Sequence, residues 1–386
     1  MVMLELQSKL PALGVTIFSV MTTLAQRLNA LNVSQGFPDF PAPPALLEAL
    51  CQATLEGQNQ YPPGDGLLLL REQLATQKQQ QTGCSFDPHT EISITAGATI
   101  AIFCAIQAVV QAGDEVIIFD PSYDSYAPTV QLAGGKAIHL ALQPPHFQVD
   151  WNQVKDAIHD RTRMIIVNTP HNPSGTLWSA EDWQTLIELI QDRNIVVLSD
   201  EVYEHLVYEG QQHYSALDFP ALHERSFVIG SFGKTFHVTG WKTGYCMASP
   251  ALMQLFRQVY QFANFCGVTP VQVALAQFMR QHPEHIAELA AFYQAKRDRF
   301  QAGIQHSRFQ WIPAQGTYFQ NLDYRAIRPD LNDLQMCHYL AEQHKIVAIP
   351  ISAFYQTPPD DLRLIRVCFA KKDETLDRAA EIFSAC

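Results

Sequence analysis

Between Glu91 and Ser249 short apolar runs recur along the chain: EISITAG (91–97), EVIIFD (115–120), KAIHLAL (136–142), RMIIVNT (163–169), IVVLSDE (195–201), SFVIGSF (226–232) and KTGYCMA (242–248). They are short, rich in β-branched residues and bounded by Gly, Pro or Asp, which is the pattern of buried strands. Helical patterns lie between several of them. ATIAIFCAIQAVVQAG ends at Gly113, a C-cap signal, and SAEDWQTLIELIQDRN opens at Ser179, an N-cap signal. The alternation predicts an α/β fold with a mostly parallel seven-stranded sheet covered by helices. Open sheets of this kind gather ligand-binding groups at the carboxyl ends of their strands.

The flanks read differently. Residues 1–45 carry Pro11, Pro38, Pro41, Pro43 and Pro44 and read as an irregular arm. From about Pro283 a long helix is expected, followed by the short strands FQWIP, GTYFQNLDY, KIVAIPI and LIRVCFA, which make a smaller α+β unit. The expected division is an arm belonging to the small unit (1–45), a large unit (46–280) and a small carboxyl-terminal unit (281–386).

Composition narrows the classes. Of 386 residues 47% are hydrophobic and 17% charged, which suits a compact fold and excludes a disordered chain. The net charge of −12 repels phosphate backbones and anionic lipid, so neither nucleic acid nor a membrane is an expected partner. No apolar run approaches the length of a membrane span. At the start, Glu5, Gln7 and Pro11 interrupt what a secretory signal requires, and a cytoplasmic protein is expected. The eight cysteines show no CxxC pair, and runs such as AIFCAIQAVV read as buried reduced thiols; no metal site is expected.

Four segments carry candidate chemistry. In SFGKTFHVTGWKTGY (231–245) the GKT resembles the end of a nucleotide-binding loop, but Val228 stands where that loop needs glycine. Lys234 follows an apolar strand within small, hydroxyl and aromatic residues. Desolvation there would lower its pKa and make it a Schiff-base nucleophile; alone, it would read as a surface lysine. Asp200 ends a buried strand, with Tyr203 three residues on; a helix cap is the plain alternative. Asn168 and Asn172 sit in IIVNTPHNPSG, where turn chemistry alone explains Asn-Pro. ITAGATIA runs from a strand through Gly97 into a helix, a geometry that aims N–H groups at an anion.

Together with SQGFPDF (34–40), NQYPPGDG (59–66), DPSYDSY (120–126), GTYF (316–319) and LIRVCFA (364–370), these segments resemble, in order, the pyridoxal-phosphate enzymes of the aspartate-aminotransferase fold (fold type I), class I/II aminotransferases. SQGFPDF, YDSY and GKTFHVTGWKTGY look most like the branch of methionine, glutamine–phenylpyruvate and kynurenine aminotransferases, the bacterial methionine type above all.

The resemblance implies pyridoxal 5'-phosphate as cofactor and a role for each matching residue. Lys234 would bind the cofactor covalently and move the substrate proton. Asp200 would pair with the ring nitrogen, and Tyr203 and Asn172 would bond the ring's phenolic oxygen. Gly97, Ala98, Thr99, Ser231 and Lys242 would hold the phosphate, with Lys242 standing where the aspartate branch has Arg. Tyr123 would stack on the ring, and Tyr61 would reach the neighbouring subunit's phosphate, which implies a homodimer with shared active sites. Arg366, in LIRVCFA, is flanked by apolar residues and should be buried and paired; an ion pair with a nearby acid is the plain alternative. The resemblance makes it the grip on the substrate carboxylate, with Gly36 and Asn172. Ile17, Phe18, Phe262 and Phe265 lie in stretches expected to line an apolar side-chain pocket without Lys or Arg, which points to methionine and aromatic amino acids as donors to a 2-oxo acid in a ping-pong reaction. A cysteine-conjugate β-lyase is the alternative on the same residues. A pyridoxal-phosphate-sensing regulator is disfavoured, because the chain starts near the small-unit arm and its charge is wrong for DNA.

Overall fold

The computed structural model describes residues 7–11 and 13–386; the first six residues of the expected arm and segment start, and Ala12, lie outside the described residues. The strands, in chain order, are β1 (Leu31–Asn32), β2 (Ile92–Thr95), β3 (Glu115–Asp120), β4 (Lys136–Ala141), β5 (Thr162–Asn168), β6 (Val196–Asp200), β7 (Ser226–Ser231), β8 (Gly244–Met247), β9 (Phe319–Asp323), β10 (Ile346–Val347), β11 (Ile349–Pro350) and β12 (Leu364–Cys368). Seven of them form the large sheet, in the order β2-β8-β7-β6-β5-β3-β4. All run in one direction except β8, which is antiparallel to both neighbours. The link from β7 to β8 contains only short helical turns, Phe232–Thr235 and Thr239–Trp241, rather than the crossover helix that a parallel return needs.

Successive strand residues face opposite sides. Ile117 joins a core with Val167, Trp183 and Leu275, whereas Ile118 joins one with Ile166, Ile102 and Phe256. Both faces are therefore covered, and each strand reads as a continuous apolar run. A separate core gathers Leu289, Phe300, Ile365 and Phe383 with Met21, Leu24 and Val33 from the amino-terminal segment.

Three expectations are corrected. The amino-terminal segment is not wholly irregular: Ile17–Leu28 is a helix capped by Thr16, whose hydroxyl accepts from Ser19 N–H at 3.3 Å. Its prolines all lie outside that stretch, so nothing interrupts the helix. FQWIP forms no strand; Gln310 alone bridges to Asp323. KIVAIPI is divided between two sheets, since β10 pairs with β1 while β11 takes the edge beside β12, where Pro350 needs no ladder donor. Among the described residues no helix is long and apolar enough to cross a membrane.

Candidate active site

The sheet brings its chemistry to one edge. Asn168, Asp200 and Ser231 are the last residues of β5, β6 and β7. Gly97 lies two residues beyond β2, and Lys242 lies two residues before the antiparallel β8, hence at the same edge. There a cavity of about 190 Å³ is lined by Gly97, Ala98, Thr99, Tyr123, Asn172, Asp200, Tyr203, Ser231, Lys234 and Lys242. These ten residues, most of them given roles by the family resemblance, thus face one space.

One end suits an anion. Gly97, at φ 92°, opens the helix Ala98–Val109 with no side-chain cap, so the first N–H groups remain open to a ligand. A Cβ at Gly97 would lie 3.4 Å from the Lys242 ammonium, which places that charge beside the helix start. Gly244 matters equally, because a Cβ there would lie 2.8 Å from the Ala98 nitrogen and push the helix away. Thr99 and Tyr123 join their hydroxyls at 3.3 Å across the opening.

The other end suits a protonated base. Asp200 is 4% exposed and accepts from the Tyr126 hydroxyl at 2.6 Å and Val202 N–H at 3.3 Å, while Asn168 Nδ2 donates to its carbonyl at 2.8 Å. Burial pushes its pKa up to about 6, against the lowering effect of those hydrogen bonds. A buried carboxylate in that condition gains from a cation placed against it. Lys234 Nζ donates to the Tyr318 hydroxyl at 2.8 Å and the Gly36 carbonyl at 3.2 Å, near the rings of Tyr203 and Tyr318. Burial brings its pKa down to about 8, with Lys242 and Arg366 adding to the effect and Cys368 and Asp200 opposing it. The Tyr203 loop is anchored by the next residue, Glu204, which accepts from both Lys78 and Tyr245.

Arg366 borders this space from β12. It is 1% exposed, and Nη1 donates to Asn172 Oδ1 at 2.7 Å and Nη2 to the Ser34 carbonyl at 3.2 Å. Its guanidinium lies 3.8 Å from the centre of the Phe319 ring, 5.0 Å from Phe354 and 5.7 Å from Phe18. Burial brings its pKa down to about 10. Among the described residues no carboxylate forms an ion pair with it, so the structural ion pair is not made. A buried guanidinium held by neutral oxygens is poised for an external anion.

Gly36, which reaches Lys234 through its carbonyl, also packs closely: a Cβ there would lie 2.7 Å from the Phe319 ring. Tyr61 is not in the cavity. It is 82% exposed, its ring edge-on to Phe265 at 5.4 Å. Ile17 packs half-buried against the small unit's core, and Phe262 is exposed. The sequence reading missed Tyr126, Tyr318, Phe319 and Phe354. Tyr126 closes the YDSY motif, and Tyr318 and Phe319 sit in GTYF, so motif position could have found three of the four. A larger groove of about 1040 Å³ opens beside Trp151, Trp311 and Asn321, but no lysine lines it.

The family described as aminotransferase class I and II matches residues 29–383. The methionine aminotransferase of Escherichia coli is 48% identical over 375 residues, 97% of each chain. A crystal structure from Escherichia coli, described with a methionine aminotransferase function, superposes with a TM-score of 0.97 at 47% identity, over 99% of this chain and 100% of that one. The probable N-succinyldiaminopimelate aminotransferase of Mycobacterium tuberculosis is 37% identical over 96% of each chain. Human kynurenine–oxoglutarate transaminase 3 is 34% identical over 94% of this chain and 86% of its own.

Proposed function

The chain belongs to the class I and II aminotransferases and uses pyridoxal phosphate, and from that premise we propose that it moves the amino group of methionine or an aromatic amino acid to a 2-oxo acid, with the residues gathered above in defined roles. The observation that carries the reading is a lysine with a lowered pKa, Lys234, in the same cavity as Asn172, which binds a buried arginine, Arg366, that pairs with no acid among the described residues. The residues fit the cofactor. The open helix start at Gly97, Ala98 and Thr99, with Ser231 and Lys242, suits a phosphate, and Asp200 suits a protonated ring nitrogen.

Bound pyridoxal phosphate supplies a ring that takes up negative charge developing at the amino acid's Cα. Asp200 would hold the proton on the ring nitrogen, Tyr203 and Asn172 would hold the phenolic oxygen, and Tyr123 would cover the ring face. Lys234 Nζ, neutral above about pH 8, takes the proton from Cα. Arg366 and Asn172, with Gly36, hold the α-carboxylate and so fix which bond faces Lys234. Donor choice rests on Phe18 and Phe354 beside Arg366, and on a cavity whose described lining carries no cation besides Lys234 and Lys242. A second carboxylate would go unpaired there. The chemistry of a β-lyase needs the same lysine and arginine, and nothing in the cleft favours it.

The proposal extends to a cytoplasmic homodimer and to the division of the chain at 45 and 280. The exposed apolar residues Tyr61, Phe262, Phe265 and Val268 support a partner surface, and the core of Leu289, Phe300, Ile365 and Phe383 with Met21 and Leu24 supports a small unit that includes the amino-terminal segment. A donor panel with one fixed 2-oxo acid tests the substrate reading: methionine and phenylalanine should lead and aspartate trail. Aspartate as the best donor would overturn it.

A further inference from the structure

Three buried polar atoms on two facing residues lack a hydrogen-bond partner among the described residues. One is Arg366 Nε; the others are both amide atoms of Asn321. The residues are directly paired across the antiparallel strands β12 and β9, Arg366 opposite Asn321. Directly opposed residues project from the same face, with Cβ atoms about 4.5–5.5 Å apart. From there an asparagine amide and an arginine Nε, each a few bonds beyond Cβ, lie within mutual reach. On the same face Phe319 and Cys368 form the next pair toward Lys234, and Leu364 and Asp323 the pair toward the outer groove. Asn321 therefore stands beside the arginine, between cleft and groove.

An unsatisfied amide and an unsatisfied guanidinium N–H, both shut off from water, each carry a cost that contact with the other relieves. A guanidinium also offers two faces to a carboxylate: end-on through Nη1 and Nη2, or side-on through Nε and one Nη. Asn172 and the Ser34 carbonyl take one hydrogen each from Nη1 and Nη2. The second hydrogens of those nitrogens and the Nε hydrogen remain, so the geometry so far permits either mode.

We propose that Asn321 is a positioning residue for Arg366, its amide oxygen accepting from Nε directly or through one water, which closes the side-on face and leaves the end-on fork for the substrate carboxylate. This rests on the reading of Arg366 as the carboxylate grip. The residue touches no reacting atom; it sets the plane of the group that does.

The test is calorimetric titration of the holoenzyme with 4-(methylthio)butanoate, a carboxylate without the reacting amine, and with 3-(methylthio)propylamine, an amine without the carboxylate. Asn321→Leu, which fills similar space without polar atoms, should weaken carboxylate binding about tenfold, as expected for a lost hydrogen bond to a charged group. Amine binding should be unchanged. Adding Asn321→Leu to Arg366→Ala should cost nothing further, since coupled positions are not additive. Asn321→Ala should repeat the pattern if leucine packs badly. Wild-type carboxylate affinity in both Asn321 variants, with Arg366→Ala weakened, overturns this inference and leaves the carboxylate grip standing. Equal loss for carboxylate and amine makes Asn321 a structural residue and also overturns it. Unchanged carboxylate affinity in Arg366→Ala overturns the grip itself, and the inference with it.

Discussion

The two halves of the cleft are built by different means. Asp200, Asn168 and Ser231 are set by the backbone ladder of one sheet: Asn168 is in register with Asp200, Asp200 with Ile229, and Ser231 with Gly244. Their relative positions follow from strand pairing, with cores packed on both faces. The carboxylate half has no common ladder. Arg366 reaches Asn172 across 194 residues and Ser34 across 332 with its side chain, and only single backbone bonds such as Cys368 N–H to the Val33 carbonyl, at 2.8 Å, tie the 33–34 segment to its strand. The 34–37 segment is itself tied down from the small unit, where Lys371 Nζ donates to the Phe37 carbonyl at 2.8 Å. The first half is set by strand pairing within one sheet, whereas the second is assembled from residues of both units. Damage to the first should fall on turnover, and damage to the second on substrate affinity.

That contrast is sharpest at Lys234. Lys234→Ala should keep the cofactor yet lose transamination by about 10⁴-fold or more, as a missing general base and covalent anchor require. Near-normal turnover by steady-state assay would assign the role to another lysine. Asp200→Asn should lower kcat by about 10²–10³-fold with KM little changed, because it removes charge stabilisation at the ring rather than substrate contacts. A change confined to KM would break the division between halves. Tyr126→Phe should act in the same direction but less, since one hydrogen bond to a charged group is worth about 1.5–3 kcal/mol. If kcat did not move, Asp200 would need no orientation from Tyr126.

The smallest effect, taken per unit, is one of pH. Lys234 attacks as the neutral amine, and its pKa is lowered to about 8. Covalent uptake of pyridoxal phosphate by the apoprotein should therefore quicken about tenfold per unit as pH rises from 6 and level off above about 8. An inflection near the ordinary lysine value, seen by stopped-flow absorbance, would mean that burial does not tune this group.

The same contrast explains what the sequence alone made legible. The cofactor half lies in contiguous motifs at strand ends, so apolar runs located the strands and the residues after them located the chemistry. Asp200, Lys234 and Gly97 were found in this way. The carboxylate half is spread over segments that meet only in three dimensions. Arg366 was noticed because charge inside an apolar run is anomalous, but Phe354 carries no local signal, and the Ser34 carbonyl, being backbone, carries none at all. The helix Ile17–Leu28 was hidden by the prolines around it. Tyr61 was assigned by resemblance, and its exposure in the single chain leaves its role to the proposed dimer.

The separability of the two halves is tested most directly by one rapid-mixing experiment on Arg366→Ala holoenzyme. The first half-reaction is followed by the cofactor's absorbance, with methionine and with 3-(methylthio)propylamine, the same side chain lacking the carboxylate. Separability predicts an unaltered cofactor band and an unaltered rate with the amine. With methionine it predicts a loss equivalent to about 2–5 kcal/mol, the cost of removing a buried charge from its partner. Equal losses with both compounds, or loss of the cofactor itself, would contradict it.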